Sequence, residues 1–75
     1  MKFEKQKIRI ESDENDGVGC KSKLFYDDLL MFETDGYGHK KNINLLSEKL
    51  LSSKSEEPGA YHERFIMMYE DRKKE

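Results

Sequence analysis

The stretch 24-LFYDDLLMFETDGYGHKKNINLLSEKLL-51 decides how the chain is read. Phe25, Leu29 and Phe32 recur at i, i+4 and i+7, with Leu24 and Leu30 beside them. That spacing predicts an amphipathic helix over Leu24–Asp35. Its aromatics Phe25, Tyr26 and Phe32 read as core rather than as nucleic-acid stacking platforms, and Met31 as a filler of core gaps. Gly36-Tyr37-Gly38 then breaks the pattern, since glycine tolerates the positive φ found just past helix ends. Ile43, Leu46 and Leu50, flanked by Leu45 and Leu51, restart a helical face over Asn42–Ser53. Residues 24–53 are therefore expected to form a helix-turn-helix core.

Upstream of this core, Lys5-Gln6-Lys7-Ile8-Arg9-Ile10 alternates with period two and predicts a half-buried strand. Ser12–Gly17 (SDENDG) is turn chemistry, and Asp16-Gly17 is a favoured hairpin dipeptide. It lacks the distal glutamate of a calcium loop. Val18–Lys23 is a second possible strand. Two arrangements stay open: the acidic loop is an insertion after a basic ribbon, or the two segments pair as a hairpin. Ser22 is placed as the N-cap of the first helix, with Asp27 and Asp28 near its positive end. Cys20 reads as a small core residue, because no general base stands near it in sequence. Downstream, 52-SSKSEEPG-59 has linker composition and a Pro-Gly break. Tyr61, Phe65 and Met68 then mark a C-terminal helix over residues 60–74, with Arg72, Lys73 and Lys74 at its negative end.

The chain of 75 residues reads as one small domain: ribbon or hairpin 1–23, core 24–53, C-terminal helix 60–74. A chain this short buries only about 60 % of its unfolded surface. Its single cysteine forms no intrachain disulfide, and His39 and His62 do not stand at zinc spacing. Oligomerisation is the remaining source of core, and 40 % charged against 35 % hydrophobic residues suits a small homodimer. Net charge is −2, short of the basic balance of a strong nonspecific nucleic-acid binder. The charge is segregated: Lys2, Lys5, Lys7 and Arg9 precede Glu11, Asp13, Glu14 and Asp16. No apolar run reaches the roughly 18 residues of a membrane span. No signal-peptide core is visible, and with one unpaired cysteine a cytoplasmic protein is expected. No paired carboxylates, metal set or nucleophile–base pair assembles by spacing, so no enzyme activity, cofactor, metal or small-molecule substrate is expected.

Strand, helix, glycine turn and helix in this order resemble the ribbon-helix-helix DNA-binding family over about half the chain. The resemblance implies a mainly α fold with a short N-terminal β ribbon, an intertwined dimer, and an additional C-terminal helix. The alternative is an α+β fold with an N-terminal hairpin packed on helices. The resemblance implies DNA base contacts from Lys5, Lys7 and Arg9, or from Lys21 and Lys23, since lysine and arginine can donate to guanine edges. It implies a phosphate clamp of Lys40, Lys41 and Asn42, where the free N–H groups of a helix start favour an anion. His39 in this turn reads as a surface or capping histidine. Ile8, Ile10, Ile43, Leu46, Leu50, Tyr61, Phe65 and Met68 are the expected dimer or partner interface. The implied function is a small, sequence-specific transcriptional repressor or autoregulator. The rival reading is a phage- or plasmid-encoded inhibitor of a host nuclease, anti-CRISPR-like, with Glu11, Asp13, Glu14 and Asp16 as phosphate mimics. A third is an adaptor using the Tyr61/Phe65/Met68 face.

Overall fold

A computed structural model describes residues 2–53 and 61–74, with the side chain of Tyr61 outside that description. The architecture is α+β rather than mainly α: a three-stranded antiparallel sheet precedes two helices. After a single 3₁₀ turn at Lys5–Lys7, β1 runs Ile8–Ser12, β2 Gly17–Tyr26 and β3 Leu29–Gly36. Helix α1 spans His39–Ser52 and α2 spans Tyr61–Lys73. The sheet order is β1-β2-β3. The ribbon-helix-helix arrangement is thereby overturned, because the predicted first helix is the end of β2, a tight turn and β3. The two N-terminal segments do pair as a hairpin, Ile8 opposite Tyr26 through Ser12 opposite Ser22, and that hairpin continues into the third strand. The expected linker 52–59 lies outside the described residues except Ser52, which ends α1, and Ser53.

Two features turn Leu24–Gly36 from helix to hairpin. Asp27 and Asp28 both adopt positive φ, 53° and 64°, forming the left-handed turn that matches strand twist. Asp27 is held there: its N–H donates to the Lys7 carbonyl at 3.0 Å, and its carboxylate accepts the Tyr69 hydroxyl at 2.8 Å. Phe25 also faces away from Leu29 and Phe32. The latter two pack on the core, while Phe25 lies on the outer sheet face beneath the Arg9 guanidinium, 4.2 Å from the ring centroid. A register shift between Leu24 and Phe25 accompanies this, leaving Met31 without a partner on β2.

The helices cover the other face of the sheet. Leu24 and Tyr26 from β2, Met31 from β3, Ile43 and Leu50 from α1, and Phe65 and Tyr69 from α2 form the core, closed by Phe3. Each fully buried leucine or isoleucine stabilises the fold by about 1.5–3 kcal/mol. Phe3 meets Tyr26, Phe65 and Tyr69 edge-on at 5.0, 6.4 and 6.3 Å. The Tyr26 hydroxyl accepts the Glu4 N–H at 2.8 Å, which ties the N-terminal segment to the sheet. Ile43, Leu50 and Phe65, expected at a dimer interface, are thus spent within one chain's own core. Ile8, Leu46 and Met68 pack at its margin, and Ile10 is 36 % exposed on the edge strand.

Candidate functional site

The β1–β2 loop and the start of α1 are built as one unit. His39 is the first residue of α1 and has no solvent exposure. Its Nε2 lies 2.7 Å from the Asn15 carbonyl, which can only accept, so Nε2 carries the proton. In the neutral ring Nδ1 then accepts the Ser22 hydroxyl at 2.6 Å, and the Ser22 oxygen accepts from Ser12 at 2.7 Å. The loop is also gripped on both sides of Asn15. The Asp16 carboxylate accepts the Gly38 N–H at 2.8 Å, and the Lys40 ammonium donates to the Glu14 carbonyl at 2.7 Å. The Asp13 carboxylate accepts the Lys21 N–H at 2.8 Å. An acidic loop of four residues is held at every position by a hydrogen bond that leaves the Glu14 carboxylate outward.

This arrangement revises three expectations. His39 is a buried strut and not a surface histidine. Ser22 lies mid-strand, fully buried, and caps no helix. Asp27 and Asp28 form a β-turn and not the first turn of a helix. The serine–histidine contact has the atoms of a nucleophile–base pair, but solvent reaches neither side chain and the second ring nitrogen is spent on a carbonyl. It supports the loop. Among the described residues no three His, Cys, Asp or Glu side chains assemble as a metal site.

The expected DNA-contacting residues are scattered, and Lys7, Arg9 and Lys21 are ion-paired within the chain. Lys5 and Lys7 lie in the 3₁₀ turn, where Lys7 meets Glu4 at 3.2 Å. The hydrogen bond and charge of Glu4 raise the Lys7 pKa above its ordinary value. Arg9 pairs with Glu11 and approaches Asp28 to 3.8 Å while it stacks on Phe25. On the outer sheet face Lys23 stands between Glu11 and Glu33, and Lys21 stands opposite Asp35 and contacts Glu33 at 3.3 Å. Each central lysine is flanked by acids on neighbouring strands. Lys40, Lys41 and Asn42 do occupy the first turn of α1, but the anion at that helix start is the chain's own Asp16. The sequence expectation is a DNA phosphate at this helix start; the anion found there is a carboxylate 22 residues upstream.

The same end of the molecule exposes two residues to which the sequence assigns no functional role. Tyr37, between Gly36 and Gly38 at φ 76° and 78°, is 76 % exposed. Its ring lies over Gly17, where an added Cβ would come within 3.7 Å. Val18 follows, 88 % exposed, at the start of a three-residue register shift between Gly17 and Lys21. Tyr37 belongs to no periodic pattern, and the period-two reading of Val18–Lys23 puts Val18 on the face of the buried Ser22, from which the register shift displaces it.

Fold and site together define a small α+β domain that presents a pinned acidic hairpin beside an acid-flanked sheet face. No protein-family model matches the chain, no curated protein matches it, and no solved structure matches it. No helix among the described residues is long and apolar enough to cross a membrane.

Proposed function

We propose that the protein is a non-enzymatic inhibitor that binds another protein, occupying a basic surface such as the nucleic-acid channel of a nuclease. The observation that carries this reading is the pinning of the acidic loop by His39, Gly38 and Lys40. A loop ordered before binding loses little entropy on binding, so its carboxylates act as preorganised phosphate mimics. The adjoining face is charge-balanced, its strand residues Arg9, Lys21 and Lys23 meeting Glu11, Glu33 and Asp35, so the net negative charge at this end comes from the loop's Asp13, Glu14 and Asp16. The DNA-binding reading has less support. Its ribbon has no counterpart in this fold, and its phosphate clamp is filled from within.

The test uses fluorescence anisotropy with two labelled probes, nona-arginine peptide and random-sequence duplex DNA. Glu11→Gln/Glu14→Gln/Glu33→Gln removes three charges from the proposed surface. Glu63→Gln/Glu70→Gln/Asp71→Asn removes three exposed charges from α2 as a control. At about 0.5 kcal/mol per exposed charge, the first variant loses roughly tenfold in peptide affinity. The control stays within about threefold of wild type. Equal losses in both variants would mean bulk charge alone drives binding. Duplex DNA bound more tightly than the peptide would refute the reading outright.

A further inference from the structure

We infer that Tyr37 and Val18 form the apolar anchor of this interaction, and that the partner surface is an apolar pocket rimmed by arginine or lysine. The inference rests on the protein-binding reading above and gives it a centre. Single exposed apolar side chains are ordinary on protein surfaces. What distinguishes these two is their support and their surroundings.

The backbone on both sides of Tyr37 is held. Gly36 pairs with Gly17 across the sheet, and the Gly38 N–H is bound to Asp16 while its carbonyl accepts the Asn42 N–H at 2.9 Å. The ring lies over Gly17, so the side chain is presented from a backbone platform that is already ordered. Tyrosine in that state is the residue type that concentrates binding energy at protein interfaces, because it offers a large apolar area and a polar tip at low entropic cost. Val18, the next residue after Gly17, projects from the register shift and gains almost no burial from folding.

The surroundings select the partner's chemistry. Asp16 is bonded to the residue after Tyr37, Asp35 precedes Gly36, and Asp13 and Glu14 complete the loop. Lys40, a cation bonded to this loop, is engaged by the Glu14 carbonyl. Carboxylates around an aromatic repel phosphates, which disfavours a nucleic-acid base as the stacking partner, and attract guanidinium and ammonium groups. A protein pocket with basic residues at its rim therefore fits both the apolar centre and the charged margin.

The experiment pans a random-peptide display library against the full-length protein at physiological ionic strength and measures the enriched peptides on purified variants. Circular dichroism verifies that each variant is folded. Peptides that join an apolar residue to arginine or lysine are expected to be enriched. Tyr37→Ala should weaken them by at least about tenfold, and Tyr37→Phe, which keeps the ring, by less than about threefold. Val18→Ser should weaken them to an intermediate degree. Selected basic peptides that bind Tyr37→Ala as well as wild type would overturn the anchor. If those peptides are still lost on Glu11→Gln/Glu33→Gln, the acidic-surface reading survives without it. Failure of basic peptides to enrich, or a shift of the Tyr37 resonances by oligothymidylate and not by peptide, overturns both.

Discussion

Replacing His39 with alanine tests the unit on which the site is built. The imidazole is fully buried and bonded at both nitrogens, to Ser22 and to Asn15. Loss of two hydrogen bonds costs about 1–3 kcal/mol at the usual 0.5–1.5 each. Ser22 keeps Ser12 as a partner, and the Asn15 carbonyl can turn to water, so the cost of stranded polar groups stays small. The cavity left by the ring adds about 1–2 kcal/mol, less than for a large apolar side chain because the loop above it can settle. A total near 3 kcal/mol compares with a whole stability of about 4–11 kcal/mol for a chain of this length. Thermal denaturation followed by far-ultraviolet circular dichroism should show a midpoint lowered by about 12–24 °C. Amide exchange should at the same time accelerate at Lys21 and Gly38, whose N–H groups are bound by loop carboxylates. His39→Phe fills the space without the hydrogen bonds, so it should recover the packing share of the loss and leave loop exchange fast. A midpoint change below that of about 1 kcal/mol, or unchanged exchange at both amides, refutes the assignment of His39 as the strut.

Three further outcomes follow from other contacts. Tyr69→Phe removes the bond to Asp27 and should cost about 1 kcal/mol in urea denaturation. That bond, then burial and the Asp27 charge, raise the Tyr69 pKa above its ordinary value of 10.0. The stabilisation is therefore complete below pH 10.0 and is lost as pH rises through the folded-state pKa, so wild type should lose stability in alkali that Tyr69→Phe does not lose. Asp28→Gly relieves a left-handed residue whose side chain is exposed, and should stabilise by about 0.5 kcal/mol after the entropy of the unfolded glycine is counted. A loss instead would give the Arg9–Asp28 approach more weight than an exposed pair at 3.8 Å warrants. Asp16→Ala empties the start of α1, so titration with inorganic phosphate should shift the Gly38 amide resonance in the variant and leave it in place in wild type. A shift in wild type would restore the phosphate clamp.

The parts of the fold that were legible in the sequence are those whose signal is local. The Asp16-Gly17 hairpin dipeptide and the periodic faces of α1 and α2 each depend on residues a few positions apart, whereas the half-buried strand expected over Lys5–Ile10 begins only at Ile8, after a 3₁₀ turn, and its residues from Arg9 onward are exposed. The segment 24–36 imitates a helix because its apolar residues serve two surfaces. Leu24 and Tyr26 point to the core and Phe25 to the outer face, which erases the period-two contrast. The irregular pairing around Met31 then brings Phe25, Leu29 and Phe32 into a spacing that imitates a helical stripe. The remaining cue, Asp27-Asp28 as a left-handed turn, depends on contacts to Lys7 and Tyr69 that lie 20 and 42 residues away.

The candidate site shows the same division between chemistry and geometry. Residue types pointed to a phosphate at the start of α1 and to an acidic stretch after β1, and the structure places an acid of that stretch, Asp16, at the helix start. Nothing local revealed that one satisfies the other. Once Asp16 and His39 are joined, the acidic stretch ceases to be a solvated loop and the helix start ceases to be an open anion site. Two weak, separate signals become one closed unit, and the surface left for a partner is what that unit pushes outward: the Glu14 carboxylate, Tyr37 and Val18. A binding function on this chain is therefore to be sought at the residues that the internal network leaves unused, and not at Lys7, Lys21 and Lys40, which the fold has already partnered.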